Sequence, residues 1–244
     1  MKKRIAFLLL LAASIPMTEA AHAHGWHSGR WHEKYADVLA VPSLFFTYRH
    51  GVLAGSYPEG ESTTEVRFSD VCAYLGHVCL CGAGGYKIAA EAVREMGGLE
   101  KLPERGEFIL ISGRDHAVGD VIAYVLGCAR RSDPEKSTYF IRSVDGLPRR
   151  EYRYVIAYPP TRSALRVVYR KHLLVGNEAM DGLWEIELGY DEDPGSVGET
   201  DVDLYRDMME TMVRDVLFDR KEGLIETRMI PYDEFTALLD SLRG

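Results

Sequence analysis

Apolar side chains recur at helical spacing over residues 83–96, through Tyr86, Ile88, Ala89, Ala92, Val93 and Met96, and Gly97-Gly98 supplies a stop. A shorter helix is expected at 67–76, with Ser69 or Asp70 as its cap. Glu107-Phe108-Ile109-Leu110-Ile111-Ser112 is a short continuous apolar run of the kind a buried strand presents. Helical spacing returns over 116–129 through Val118, Ile122, Val125 and Leu126. Strand-like stretches follow at 138–144, 152–158, 164–169 and 183–188, separated by turn chemistry at Asp145-Gly146, Pro159-Pro160 and Asp181-Gly182. Residues 191–203 are acidic and turn-rich, which reads as a solvated loop or linker. Leu204, Met208, Met212 and Val216 then mark an amphipathic helix, and Pro231 opens a last short one through Leu242. A methionine stripe at that spacing is core packing before it is a metal or haem box. Helix, strand, helix and then several antiparallel strands point to an α+β fold, a sheet packed with helices and extended by C-terminal helices.

The first residues stand apart from this pattern. Lys2, Lys3 and Arg4 precede the apolar run Ile5 to Ile15, and Ala21-His22-Ala23 offers small residues where a signal peptidase cuts. Residues 1–23 are therefore read as a signal peptide, cut after Ala23 or alternatively after Ala20, and the mature chain as periplasmic or secreted. The run is too short to span a bilayer, which needs about 20 residues, so no transmembrane segment is expected after cleavage. Residues 24–50 form a His-rich N-terminal segment, 51–190 the main domain, and 191–244 the acidic loop and C-terminal helices. His24, His27 and His32 could collect zinc or copper, but no spacing there fixes a coordination geometry, and solvated histidines at a terminus are the simpler reading.

Charge and cysteines narrow the chemistry. The 244 residues carry 29 Lys and Arg against 37 Asp and Glu, a formal net charge of −8. Without residues 1–23 the balance is 26 against 36, or −10, which excludes a general nucleic-acid surface because a phosphate backbone rewards a basic face. Cys72, Cys79, Cys81 and Cys128 are too few to build a disulfide scaffold. In an oxidising compartment they either pair or are held as thiolates by a metal.

The densest chemistry is Gly76-His77-Val78-Cys79-Leu80-Cys81-Gly82-Ala83-Gly84-Gly85-Tyr86-Lys87. Thiolate and imidazole within five residues form a ligand set suited to zinc, and also to iron or copper. The position opens a helix, whose N-terminal amides and dipole favour a thiolate. The glycines would let the backbone turn tightly around one ion. A Cys-x-Cys disulfide, or one half of two separate disulfides, is the alternative for this pair, the tight one being strained. A phosphate loop is rejected, because the run lacks the Gly-Lys-Ser/Thr ending and a preceding strand. A second constellation runs from Arg114-Asp115-His116 to Asp120 and on to Gly127-Cys128. Asp115 suits a helix cap, whereas Asp120 sits in an apolar helix where a buried carboxylate needs a partner. His116 and Cys128 are candidates to complete a site begun by His77 and Cys79.

These two segments together resemble the FmdE-like family of formylmethanofuran dehydrogenase subunits, whose members share a Gly-His-x-Cys-Pro-Gly motif leading into a helix. The resemblance covers about residues 65–175 and rests on His77, Cys79, Asp120, Gly127 and Cys128. Leu80-Cys81 stands where the family has Pro-Gly, Ala117 where it has a Cys, and Ala123 where it has a Gln. The resemblance implies an α+β domain with a mixed sheet, a homodimer, and a bound metal such as zinc. It does not imply formylmethanofuran chemistry.

Three functions follow as expectations. The first is an exported metal-binding protein holding zinc or another transition metal through His77, Cys79, Cys81, His116 and Cys128, with Asp120 as a metal-orienting group or general base. The second is a periplasmic carrier of a metal or a haem-type cofactor, which would take a small-molecule ligand beside the metal. The third is a thiol redox protein, disfavoured by the absence of a Cys-x-x-Cys pair.

Overall fold

The computed structural model describes residues 33–58, 60–96 and 101–243. The expected signal peptide and most of the His-rich tract lie outside the described residues.

The chain opens with α1 (Ala36–Leu39), β1 (Leu44–Thr47), α2 (Arg49–Leu53) and β2 (Thr63–Val66), and β1 pairs with β2 antiparallel. Two helices follow, α3 (Phe68–Leu75) and α4 (Leu80–Met96), then β3 (Ile109–Ser112) and α5 (Val118–Leu126). The remaining strands of the main sheet come next: β4 (Tyr139–Ile141), β5 (Glu151–Tyr158) and β6 (Ser163–Arg170). The chain closes with α6 (His172–Val175), α7 (Asn177–Glu192), α8 (Glu199–Leu217), β7 (Ile225–Ile230) and α9 (Tyr232–Arg243). The five-stranded sheet has the order β4-β3-β5-β6-β7, with β3 and β4 parallel and every other pair antiparallel. This is the expected α+β class, with a mixed sheet.

Side-chain alternation divides the sheet into two faces. Leu110, Tyr154, Ile156, Leu165, Val167 and Tyr169 join the main core beneath the helices. Ile109, Ile111, Val155, Ala157 and Ala164 point the other way, where Phe235 and Leu239 of α9 cover them. Each of those two α9 side chains contributes about 2 kcal/mol by leaving water. On the main face α4 is the central helix, with Ile88, Ala89 and Ala92 fully buried. It packs on α5 and β6, and α8 lies over it beside α7. Arg214 of α8 holds α1 by pairing with Asp37, 2.8 Å away.

The glycine run serves this packing. All of Gly82, Gly84 and Gly85 lie inside α4, not in a turn. A Cβ on Gly84 would meet the Tyr169 ring at 2.6 Å, and one on Gly85 would meet Val121 Cβ at 2.5 Å and the Val118 carbonyl oxygen at 2.9 Å. The residues expected to bend the backbone around an ion instead let a helix approach β6 and α5 closely.

The structure differs from the sequence expectation at four other points. Residues 183–188, expected as a strand, belong to α7. Trp184, Ile186 and Leu188 alternate with Glu185 and Glu187 over a short window, but the buried positions are Met180 and Leu183, three residues apart. Asp181-Gly182 is no turn, since Gly182 faces open space within the same helix. The C-terminal part adds a strand to the expected helices: β7 pairs along β6 from Ala164↔Ile230 to Tyr169↔Ile225 and completes the sheet. Residues before 51 also enter the core, through fully buried Val38 and Phe46.

Candidate functional site

The turn from α3 to α4 opens onto a cavity of about 390 Å³ lined by His77, Cys79, Cys81 and His116. Four of the six predicted site residues thus share one wall. Gly76 ends α3 in the left-handed region, φ 83°, which reverses the chain and sets His77 and Cys79 at the mouth of α4. The Cys79 carbonyl accepts the Ala83 amide at 3.0 Å, so Cys79 sits at the cap of α4 and Cys81 in its first turn.

The protonation pattern of this cluster follows from its hydrogen bonds. His77 Nδ1 lies 3.0 Å from the Leu75 carbonyl oxygen. A carbonyl only accepts, so Nδ1 is the donor in this contact. The Gly82 amide lies 3.5 Å from Cys79 Sγ and donates to it. The Cys81 thiol also donates to that sulfur, and the two bonds bring Cys79 down from its ordinary value to about 7. Cys81 moves up because it keeps its proton in the bond to Cys79 and is desolvated. On its other side Cys81 Sγ meets His116 Nδ1 at 3.6 Å and Lys171 Nζ at 3.6 Å.

His116 precedes α5 and is fixed edge-on to Trp184 of α7, ring centroids 5.9 Å apart. Asp115 beside it accepts the Gly119 amide at 3.2 Å and the Tyr154 hydroxyl at 2.7 Å. This ties the start of α5 to β5 and carries out the expected capping from outside the helix.

Two predicted residues lie elsewhere. Cys128 follows the far end of α5, where its thiol donates to the Phe108 carbonyl at 3.3 Å and burial pushes it up to about 12. Asp120 is exposed on α5 and accepts the Tyr139 hydroxyl at 2.9 Å, which supplies the partner its position called for. Neither lines the cavity.

Residues not singled out from the sequence complete the wall. Lys171 follows β6, Arg149 and Arg150 precede β5, and both arginines bind Asp181 of α7. Their one local signal is the basic pairs Arg149-Arg150 and Arg170-Lys171, which flank strands in an otherwise acidic chain.

The donor set fits a soft metal in kind. With Zn–S about 2.3 Å and Zn–N about 2.0 Å, a tetrahedral shell separates sulfur from nitrogen by about 3.5 Å, close to the 3.6 Å between Cys81 and His116. The carbonyl-bound Nδ1 of His77 matches the second hydrogen bond that metal-binding imidazoles make. Among the described residues, no group of three or more His, Cys, Asp or Glu side chains is gathered closely enough to hold a metal ion. No helix among them is long and apolar enough to cross a membrane. No family model, no curated protein and no solved structure matches the chain.

Proposed function

We propose that this chain is an exported protein that holds a soft transition metal, zinc foremost, through Cys79, Cys81 and His116, with His77 as the further ligand. The observation that carries this reading is the approach of Cys81 Sγ to His116 Nδ1 at 3.6 Å, close to the sulfur–nitrogen edge of a zinc shell, with Cys79 and His77 lining the same cavity. Zinc held there would act as a structural tie or a Lewis acid. The chain's own contribution is the orientation of the donors. The α4 amide draws negative charge onto Cys79, the Leu75 carbonyl orients His77, and Trp184 buttresses His116.

A thiol redox protein is the second reading, favoured by the lowered Cys79 beside a protonated Cys81. One experiment separates the two. The chain is recovered from the periplasm and its metal content measured by mass spectrometry, for wild type, Cys79→Ser and His116→Ala. The metal reading expects about one equivalent in wild type and a loss of about tenfold or more in both variants. Metal-free wild type carrying a Cys79–Cys81 disulfide would replace it with the redox reading, and wild type absent from the periplasm would remove export.

A further inference from the structure

Lys171 is a buried side chain of the cavity lining that the metal reading does not use. The residue is 7% exposed, and its Nζ sits over the faces of Tyr152 and Tyr169, 5.2 and 5.7 Å from the ring centroids. No carboxylate pairs with it among the described residues; its remaining polar neighbour is Cys81 Sγ. Burying an ammonium is expensive unless an anion accompanies it. The hydroxyl of Tyr169, packed alongside, is buried with no hydrogen-bond partner among the described residues.

The rest of the cavity repeats this sign. Arg149 and Arg150 share the single carboxylate of Asp181, so Lys171 and the two arginines face only Asp181 and Glu187. The described lining thus carries a surplus of one cation in a chain whose net charge is −8. The lining also includes the apolar side chains of Trp184, Met180, Leu183 and Met212. A volume of about 390 Å³ lies in the range of small-molecule sites.

We propose that this cavity seats a small organic monocarboxylate, its carboxylate on Lys171 beside Cys81 and its apolar body against Trp184 and the methionines. The inference deepens the reading of this pocket as a ligand site by naming the class of the second ligand, and it holds with or without the metal. Lys171 supplies the charge that a carboxylate needs, and the aromatic and thioether wall supplies the surface that an inorganic anion could not use.

The test is calorimetric titration of the full mature chain with 3-phenylpropionate, run on chelator-treated and on zinc-loaded protein. The corresponding alcohol and amine, 3-phenylpropanol and 3-phenylpropylamine, and inorganic phosphate serve as comparators. Saturable binding of one carboxylate per chain is expected, with each comparator weaker by about tenfold or more. Lys171→Met should weaken the carboxylate by a similar factor, while Lys171→Arg keeps it within a few-fold. Alcohol binding as tightly as the acid, phosphate binding equally well, or absence of carboxylate binding in both preparations would overturn the proposal. Unchanged affinity in Lys171→Met would do the same. Should Lys171→Met fail to fold, the wild-type comparison alone decides. Zinc uptake measured on the same samples reports on the metal reading separately, so either can fail without the other.

Discussion

Cys79 and Cys128 show how far the surroundings of one side chain can divide its chemistry. Cys79 sits where a helix begins, takes an amide and a thiol as donors, and moves down to about 7. Cys128 sits where another helix ends, donates its own proton to a carbonyl, and moves up to about 12. Cys72, buried on α3, belongs with Cys128 and also stands at about 12. A helix start presents unpaired amides to the sulfur and favours the anion, whereas a packed interior offers nothing to solvate it. Cys79 is therefore poised to act as a ligand or nucleophile beside a protonated Cys81, and Cys72 and Cys128 serve as small apolar side chains.

The largest test of this comparison breaks both environments at once. Gly85→Val would force a side chain into Val121 and the Val118 backbone, which cannot yield without moving α5. We expect a loss of about 3 kcal/mol or more, read by denaturant unfolding, because overpacking against backbone has no cheap relief.

The next test uses pH. A thiol raised from 9 to about 12 stays protonated in the folded chain while the unfolded chain ionises. Its stabilising contribution is complete below pH 9 and is lost as pH rises toward 12, at about 1.4 kcal/mol per pH unit for each thiol. Cys72→Ala should therefore destabilise the chain by about 1 kcal/mol at neutral pH through lost packing, yet narrow its deficit above pH 9. Unfolding curves at pH 7.5 and pH 10 check this, and a deficit independent of pH would show that Cys72 is solvated.

The smallest expected effect concerns Asp120. Asp120→Asn alters one half-buried hydrogen bond with Tyr139, so it should cost about 1 kcal/mol or less and leave metal content unchanged. A marked fall in metal content would place Asp120 back in the site.

Much of this architecture is written locally. The spacing over 83–96 identifies α4, and the apolar run at 107–112 identifies β3, because burial of one face is repeated within each segment. α7 is misread because six residues of strand-like alternation hide inside a helix whose buried positions are few. β7 is missed because an edge strand buries little, with only Ile230 fully covered. The site divides in the same way. His77, Cys79 and Cys81 are neighbours in the chain, and one reversal at Gly76 brings them to the cavity. Lys171 and Arg150 arrive from the ends of β6 and β5 and Trp184 from the middle of α7, and nothing in their own segments says where they meet. The glycines of α4 announce freedom to turn but are used for close contact, a choice that depends on Tyr169 and Val121 elsewhere in the fold.

The division between the two kinds of cysteine is tested most directly by X-ray absorption at the zinc edge of the metal-loaded mature chain. The shell expected is two sulfurs at about 2.3 Å with imidazole nitrogen at about 2.0 Å, unchanged in Cys72→Ala and Cys128→Ala and reduced to one sulfur in Cys81→Ser. A shell of nitrogen and oxygen alone would move the metal to the His-rich tract, and loss of a sulfur in Cys128→Ala would contradict the separation of the thiols into cavity and core.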